Sequence, residues 1–349
     1  MAAPDRAQKT VLMTGGSGYL GGWCIAALLA RGYAVRTTIR DLAREGHVRA
    51  QVEAAGVEAG DRLTVLEADL NGDDGWAEAA AGCAYVLHTA SPFPPAQPKD
   101  PDELIVPARD GALRVLRAAL EAGAERIVMT SSVAAVRGGG PPKEGSAYTD
   151  RDWTDGDDTS LTPYTRSKTI AERAAWKLVE DAGAKQRLAV VNPGAIIGPA
   201  LSDDVSYSLQ LIERLLAGMP AVPRLGFSFV DVRDVADLHV RAMEQPQAGG
   251  GRYIATDRFM WTAEVGGVLK DRLGADARKV PTRTAPNIMV RVMALFDPGI
   301  RSIVGDLGHR SEFSSARARD ELGWSPRPLE DSIVDTARSL IAFGIVTVQ

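Results

Sequence analysis

The sequence predicts an α/β protein, a doubly wound parallel sheet joined to a smaller, mostly helical C-terminal lobe. Three observations carry this. As far as residue 192, short apolar stretches alternate with helical ones across short connections, the pattern of a parallel sheet covered on both faces. A glycine-rich turn stands between the first such strand and the first helix. After Asn192-Pro193-Gly194 the alternation gives way to mainly helical stretches with irregular links. The 349 residues are enough for a sheet-based core and a second lobe.

The elements follow in order. Residues 10–14 form a buried first strand, and residues 19–31 a helix with an apolar face, stopped by Gly32. Residues 34–39 are the second strand, 41–55 a helix and 63–68 the third strand. A helix near 73–81 leads to a fourth strand at 85–88. Residues 102–122 are a long helix closed by Gly123, 126–131 the fifth strand, 162–182 another long helix and 188–191 the sixth strand. Beyond the change of pattern, helices are expected at 206–217 and 231–244, with Pro220, Pro223 and Gly226 breaking the chain between them. Residues 252–256 read as one more strand, and the proline-rich stretch 92–101 as a surface loop.

Composition narrows the function classes. Hydrophobic residues make up 45% and charged residues 24%, which is ordinary for a globular protein in water. A net charge of −5 gives no basic excess for nucleic acid. Cys24 and Cys83 lie outside any C-x-x-C pattern, and His47, His88, His239 and His309 lack metal-ligand spacing. Residues 1–9 lack the apolar core of a signal peptide, and no apolar run reaches the roughly 20 residues that span a bilayer. A cytoplasmic location with no membrane partner is therefore expected.

The turn after the first strand reads Thr14-Gly15-Gly16-Ser17-Gly18-Tyr19-Leu20-Gly21. Strand, Gly-x-x-Gly-x-x-Gly and helix are the setting a dinucleotide loop requires on a Rossmann fold. Gly15 makes a tight turn, Gly18 lets backbone approach a pyrophosphate, and Gly21 lets helix pack on strand. The helix start then offers N–H groups to the anion, so Gly15, Ser17, Gly18, Tyr19, Leu20 and Gly21 are candidate cofactor ligands. The bland alternative is a glycine turn without a ligand. Arg40 stands at the end of the second strand, where a guanidinium takes a 2′-phosphate bidentately and an acidic residue would repel it. NADP(H) is therefore favoured over NAD(H). Arg44 is a second candidate, and Asp41 is placed to cap the next helix.

Tyr164 and Lys168 lie four apart, on one face of a helix. An ammonium there stabilises a phenolate and lets the tyrosine trade a proton with a carbonyl near neutral pH. Alone, this spacing arises often by chance. Ser132, at the end of the fifth strand, offers a hydroxyl to a substrate oxygen at the edge where parallel sheets bind ligands, with Ser131 as the competing candidate. His88 and His239 read as structural rather than as ligands, and Trp153 has no assigned role.

Taken together, these motifs resemble the extended short-chain dehydrogenase/reductases, and within them the dihydroflavonol 4-reductase-like group of carbonyl and aldehyde reductases. The resemblance spans nearly the whole chain. It is carried by the glycine loop, by Val35-Arg36-Thr37-Thr38-Ile39-Arg40-Asp41, by Val86-Leu87-His88-Thr89-Ala90-Ser91-Pro92, and by Thr130-Ser131-Ser132. Tyr164-Thr165-Arg166-Ser167-Lys168-Thr169-Ile170-Ala171-Glu172, Asn192-Pro193-Gly194-Ala195-Ile196-Ile197-Gly198-Pro199 and Phe229-Val230-Asp231-Val232-Arg233-Asp234-Val235-Ala236 continue it.

By matching position, the resemblance implies a catalytic triad of Ser132, Tyr164 and Lys168. It places Asp69 and Leu70 beside the adenine, with a helix cap as the alternative for Asp69. Thr89 and Ala90 fall at the cofactor, and Pro193, Ala195 and Ile196 on the nicotinamide side. It implies hydride transfer from NADPH to a small-molecule ketone or aldehyde, in a monomer or homodimer. The NADP-binding domain would comprise residues 1–192 with returning elements at about 228–256, and the substrate lobe about 193–227 and 257–349. The apolar stretch 287–296 would line a substrate pocket or pack the lobe. The glycine-rich stretch 133–142 departs from the plant flavonoid enzymes. A sugar-nucleotide epimerase, a 3β-hydroxysteroid dehydrogenase and a non-catalytic NADP-binding protein are the competing readings. Arg40 weighs against the epimerase, and the retained tyrosine–lysine pair against the non-catalytic protein.

Overall fold

The computed structural model describes residues 9–92, 98, 100–137, 146–204, 209–296 and 304–347. The elements run β1 (Thr10–Thr14), α1 (Tyr19–Ala30), β2 (Ala34–Ile39), α2 (Glu45–Ala54), β3 (Leu63–Glu67), α3 (Trp76–Ala80) and β4 (Cys83–His88). They continue with α4 (Asp102–Glu121), β5 (Arg126–Thr130), α5 (Pro163–Asp181), β6 (Leu188–Pro193), β7 (Ala195–Ile197), α6 (Gln210–Ala217) and β8 (Gly226–Asp231). The remainder is α7 (Val232–Glu244), β9 (Arg252–Ala255), β10 (Arg258–Trp261), α8 (Thr262–Leu273), α9 (Asn287–Met293), α10 (Ala316–Leu322) and α11 (Leu329–Ala342). The chain divides into two compact units, Met1–Pro193 with Arg233–Ala255 and Ser314–Ser325, and Gly194–Val232 with Thr256–Phe313 and Pro326–Gln349.

The first unit is built on a seven-stranded parallel sheet in the order β3-β2-β1-β4-β5-β6-β9. Central strands are buried on both faces and so read as continuous apolar runs, as in Val11, Leu12 and Met13 of β1 and Ile127 and Val128 of β5. The strand order reverses between β1 and β4, and ligands of such sheets bind beyond the strand ends at this point. Helix α1 buries Cys24, Ile25, Leu28 and Leu29, which is why its sequence is apolar almost all round. On another face Trp76, Val115, Leu116, Trp176 and Leu188 join one core. The expected helix at 41–55 is a 3-10 turn at Leu42–Arg44 followed by α2, because the Asp41 side chain accepts from the Ala43 N–H and closes a separate first turn.

The second unit holds a three-stranded sheet in the order β10-β8-β7, antiparallel between β10 and β8 and parallel between β8 and β7. The sequence reading placed none of these strands. Proline and glycine breakers beside β7 and β8 interrupt the pattern there. Helix α11 covers this sheet. Its Thr336 and Ser339 hydroxyls accept from the N–H groups of Gly198 at 2.7 Å and Ala200 at 2.8 Å, which fixes the chain beyond β7. The 206–208 part of the expected helix at 206–217, most of the 92–101 loop and residues 138–142 of the glycine-rich stretch lie outside the described residues. Among the described residues, no helix is long and apolar enough to cross a membrane, and no group of His, Cys, Asp and Glu side chains is placed to hold a metal.

One buried ion pair ties the first unit together. Glu172 of α5 is fully buried and accepts from Arg252 Nε of β9 at 2.6 Å. A buried charge left alone is expensive, whereas a paired exposed one is nearly neutral. Arg252→Ala should therefore lower the unfolding free energy by about 3–5 kcal/mol. Lys177→Ala, at an exposed i,i+4 pair with Asp181, should leave urea unfolding unchanged within error. Equal losses in the two variants would refute the ranking.

Candidate active site

The glycine loop leaves β1 through a left-handed Gly15, φ 77°. A Cβ on Gly15 would stand 3.0 Å from the Ala90 Cα, and one on Gly21 only 2.1 Å from the Gly15 carbonyl oxygen. No side chain fits at either place, so the loop keeps a bare backbone cradle at the start of α1, whose Gly18 N-cap carries no side-chain bond. Two strands hold the loop from outside. Gly15 and Gly16 N–H donate to the Thr38 carbonyl of β2, and the Thr37 hydroxyl to the Met13 carbonyl. This is the fit a pyrophosphate asks for, with close backbone approach and a helix start.

Beside the cradle, the end of β4 is pinned to β1. The Thr89 hydroxyl donates to the Thr14 carbonyl at 2.9 Å, and the Ala90 N–H to the Thr14 hydroxyl at 3.2 Å. Thr14 Oγ1 is also 2.8 Å from His88 Nδ1. Burial and the nearby Lys168 charge push His88 down to about 3, which favours a neutral ring. His239 is likewise neutral, pushed down to about 4 by burial, with Thr130 and the Val235 carbonyl as partners. Both rings are buried and hydrogen-bonded within the first unit.

Arg40 is exposed, one residue past the end of β2. Arg36, four residues earlier on the same strand, is tied instead to the carbonyls of Glu78, Ala79 and Ala81 at the end of α3. The Asp69 carboxylate is engaged locally, accepting from the N–H and side chain of Asn71 at 2.9 and 3.1 Å. Leu70 packs on Gly111 of α4.

Ser132, Tyr164 and Lys168 come together in the first unit. The helix that carries the last two is started by Thr162, whose side chain accepts from the Thr165 N–H, with Pro163 in its first turn. Ser132 Oγ accepts from the Ala134 N–H at 3.1 Å and hydrogen-bonds the Tyr164 phenol. Burial raises the phenol above its ordinary 10.0, and the hydrogen bond with Ser132 acts against that. Lys168 Nζ lies 5.8 Å from the Tyr164 ring centre and donates to the Ser91 hydroxyl at 3.0 Å. Burial pushes Lys168 down to about 8, opposed by the charge of Glu172. Ser131, the competing serine, points elsewhere and donates to Glu172 Oε2 at 2.6 Å.

A profile of the NAD dependent epimerase/dehydratase family matches residues 11–255. The chain belongs to this family. Its relatives include a cinnamoyl-CoA reductase of Medicago truncatula, 37% identical over 75% of this chain and 80% of that one. A dihydroflavonol 4-reductase of Zea mays is 32% identical over 75% of this chain and 74% of its own. These place the chain in the extended, dihydroflavonol 4-reductase-like branch. In fold it is similar to yeast methylglyoxal/isovaleraldehyde reductase complexed with NADPH, with a TM-score of 0.80 and 24% identity, covering 97% of this chain and 100% of that one. Vestitone reductase from alfalfa (Medicago sativa L.) gives a TM-score of 0.75 at 25% identity, covering 97% of this chain and 99% of that one.

Of the remaining family-derived candidates, Pro193 ends β6 in the first unit, whereas Ala195 and Ile196 open β7 in the second. In the stretch 287–296, Val290 is buried and Ile288, Val292, Leu295 and Phe296 are exposed, the last by 84%. Sequence reasoning passed over Ser91 as the partner of Lys168, and over Glu172 and Asn192. Glu172 had one legible signal, a carboxylate one helical turn beyond Lys168 on the same face. Trp153 also has a place, stacked 3.6 Å below the Arg252 guanidinium. A separate cavity of about 700 Å³ opens on the first unit between Trp153, Arg252, Glu180, Lys185 and Arg317, and contains none of the predicted site residues.

The two neutral histidines make a pH prediction. Unfolded histidine takes up a proton below its ordinary 6.5, whereas folded His88 and His239 resist until about 3 and about 4. Their lowered values give stability that is present above pH 6.5 and is lost as pH falls towards those folded values. Each should remove about 2 kcal/mol between pH 7 and pH 5. Urea unfolding of His88→Gln/His239→Gln at the two pH values should show a correspondingly flatter slope. A slope equal to the wild type would contradict the neutral assignment.

Proposed function

We propose that the protein is an NADPH-dependent reductase that converts a ketone or aldehyde to an alcohol. The observation that carries this is the meeting of three groups at the sheet's carboxyl edge, a serine hydroxyl bonded to a phenol with an ammonium one helical turn away. The bare loop before α1 would hold the pyrophosphate, with Thr89 and Ala90 beside it. Asp69 and Leu70 are assigned to the adenine side, and Pro193 to the nicotinamide side. The exposed Arg40 is assigned to the ribose 2′-phosphate. When bound, NADPH supplies the hydride.

In this reading Ser132 donates a hydrogen bond to the substrate oxygen and steadies the charge that develops there. Tyr164 gives that oxygen its proton. A phenol whose pKa burial has raised enters the reaction protonated, as reduction requires. Lys168 lies close enough for its charge to stabilise the phenolate left behind, and it is a candidate for the cofactor's ribose hydroxyls. Relatives named cinnamoyl-CoA reductase and dihydroflavonol 4-reductase support hydride reduction at a carbonyl carbon as the reaction class. We assign the substrate to carbonyl compounds as a class.

Tyr164→Phe should abolish NADPH-dependent reduction across a panel of ketones and aldehydes while leaving NADPH affinity within about twofold, since only the proton-donating oxygen is lost. Near-normal turnover would remove the tyrosine from the mechanism. Arg40→Ala should weaken NADPH binding by about 1.5–3 kcal/mol, the scale of a charged hydrogen bond, and hardly change NADH binding. Equal losses for both cofactors in fluorescence titration would refute the 2′-phosphate assignment.

A further inference from the structure

Glu172 is the most heavily engaged carboxylate of the first unit, and the mechanism above gives it no task. It is fully buried. Its Oε1 accepts from Arg252 Nε at 2.6 Å and Trp176 Nε1 at 3.3 Å. Its Oε2 accepts from Ser131 Oγ at 2.6 Å and Asn192 Nδ2 at 2.8 Å, with Arg252 Nη2 at 3.5 Å. The second amide hydrogen of Asn192 goes to the Ser132 carbonyl at 3.2 Å, and Asn192 Oδ1 is left buried without a partner. An amide held with its oxygen unpaired is oriented by what its nitrogen donates to, here the carboxylate and the serine backbone.

The consequence lies in where these contacts fall. Ser131 and Ser132 are the two residues that follow β5, and Glu172 and Tyr164 lie on one helix, about 12 Å apart at 1.5 Å per residue. Helix α5 thus meets the end of β5 at two places, Tyr164 on Ser132 and Glu172 on Ser131. Lys168 sits between them. We propose that Glu172 is a positioning residue, whose carboxylate sets the register of α5 against the end of β5 and so fixes the approach of the Tyr164 phenol to Ser132 and the seat of Lys168. This rests on the reading of Ser132, Tyr164 and Lys168 as the reaction centre.

Only a carboxylate suits this place. It is an acceptor throughout, with about four lone-pair directions for its donors. A glutamine of the same shape would turn an NH₂ group towards part of that set. It would also remove a negative charge one turn from Lys168. The ionisable groups facing Lys168 are Glu172 and Tyr164 on its own helix and the neutral His88 at the end of β4. Glu172 opposes the burial that pushes Lys168 down to about 8, so its loss lowers the lysine further, and an unmatched Arg252 acts in the same direction.

The test uses the full-length protein with Glu172→Gln, Ser131→Ala and Tyr164→Phe. Glu172→Gln should lower kcat by about tenfold or more, the scale of a small misplacement of reacting groups, with NADPH affinity within about twofold. In the cofactor-free variant, lysine side-chain NMR should show Lys168 titrating at a lower pH than in the wild type, and the basic limb of kcat should move the same way. Ser131→Ala keeps the ion pair, so it is expected to fold even if Glu172→Gln does not. It should lower kcat by about tenfold through the same misplacement and leave the Lys168 titration in place. Wild-type kcat in Ser131→Ala, or an unmoved Lys168 titration in a folded Glu172→Gln, would overturn the proposal. A joint fall of kcat, NADPH affinity and melting temperature would also do so, since it would mark a general scaffold role. Tyr164→Phe separates the two levels. Near-normal turnover there removes the reaction centre itself, whereas an inactive Tyr164→Phe beside an unaffected Ser131→Ala removes only the positioning role.

Discussion

A carboxylate without solvent must find its donors in the protein, and in this chain that requirement draws the elements of the first unit together. The donors to Glu172 come from the end of β5, from β6, from β9 and from its own helix. Arg252, which supplies the balancing charge, also donates from Nη1 to the carbonyls of Asp150 and Asp152 at 2.8 and 2.7 Å, and lies on Trp153. One ion pair thus fixes the far strand of the sheet, the loop before α5 and the helix that carries Tyr164 and Lys168. Desolvating the two charges is unfavourable taken alone, and such pairs contribute little net stability. Their effect is geometric, because a donor set of this kind tolerates only one arrangement.

Beyond β1, inside the sheet, the constraint is steric. The cradle after β1 exists because side chains are impossible there. A methyl group on Gly21 would enter the Gly15 carbonyl, and one on Gly15 would press on Ala90. The same close packing explains why Thr14 is a threonine. Its hydroxyl accepts from Ala90 and meets His88, so the ends of β1 and β4 are held side by side where the strand order reverses. The two halves of the candidate site therefore rest on different physics, backbone closeness on one side and buried polar matching on the other.

That difference decided what could be read from the sequence. Glycine spacing is a local signal, and the loop, the strands around it and the tyrosine–lysine pair were all legible from short windows. Buried polar matching is non-local. Glu172 meets Arg252 across 80 residues and Asn192 across 20, and no window contains both partners. The two serines after β5 were indistinguishable in sequence, yet successive side chains point opposite ways, so one turns to the phenol and its neighbour to the carboxylate. Asp69 illustrates the reverse. Its carboxylate closes a turn with Asn71, an interaction that local sequence does permit. Strands β7 and β8 of the second unit escaped because the prolines and glycines beside them interrupt the local pattern.

The electrostatics of the site also bear on the direction of the chemistry. Burial acts on Tyr164 and Lys168 in opposite senses, raising the phenol and lowering the ammonium. Both shifts favour the neutral forms, so a phenolate beside a full ammonium is disfavoured in the cofactor-free protein. In the reaction proposed above, reduction begins from a protonated phenol, which is the state burial supports. Oxidation would need the phenolate at the outset, and therefore a further positive charge at the site to lower the phenol. The charge of Glu172 opposes the burial that lowers Lys168. The buried carboxylate proposed to position α5 thus also favours the charged form of its lysine, and the two effects act from the same atoms.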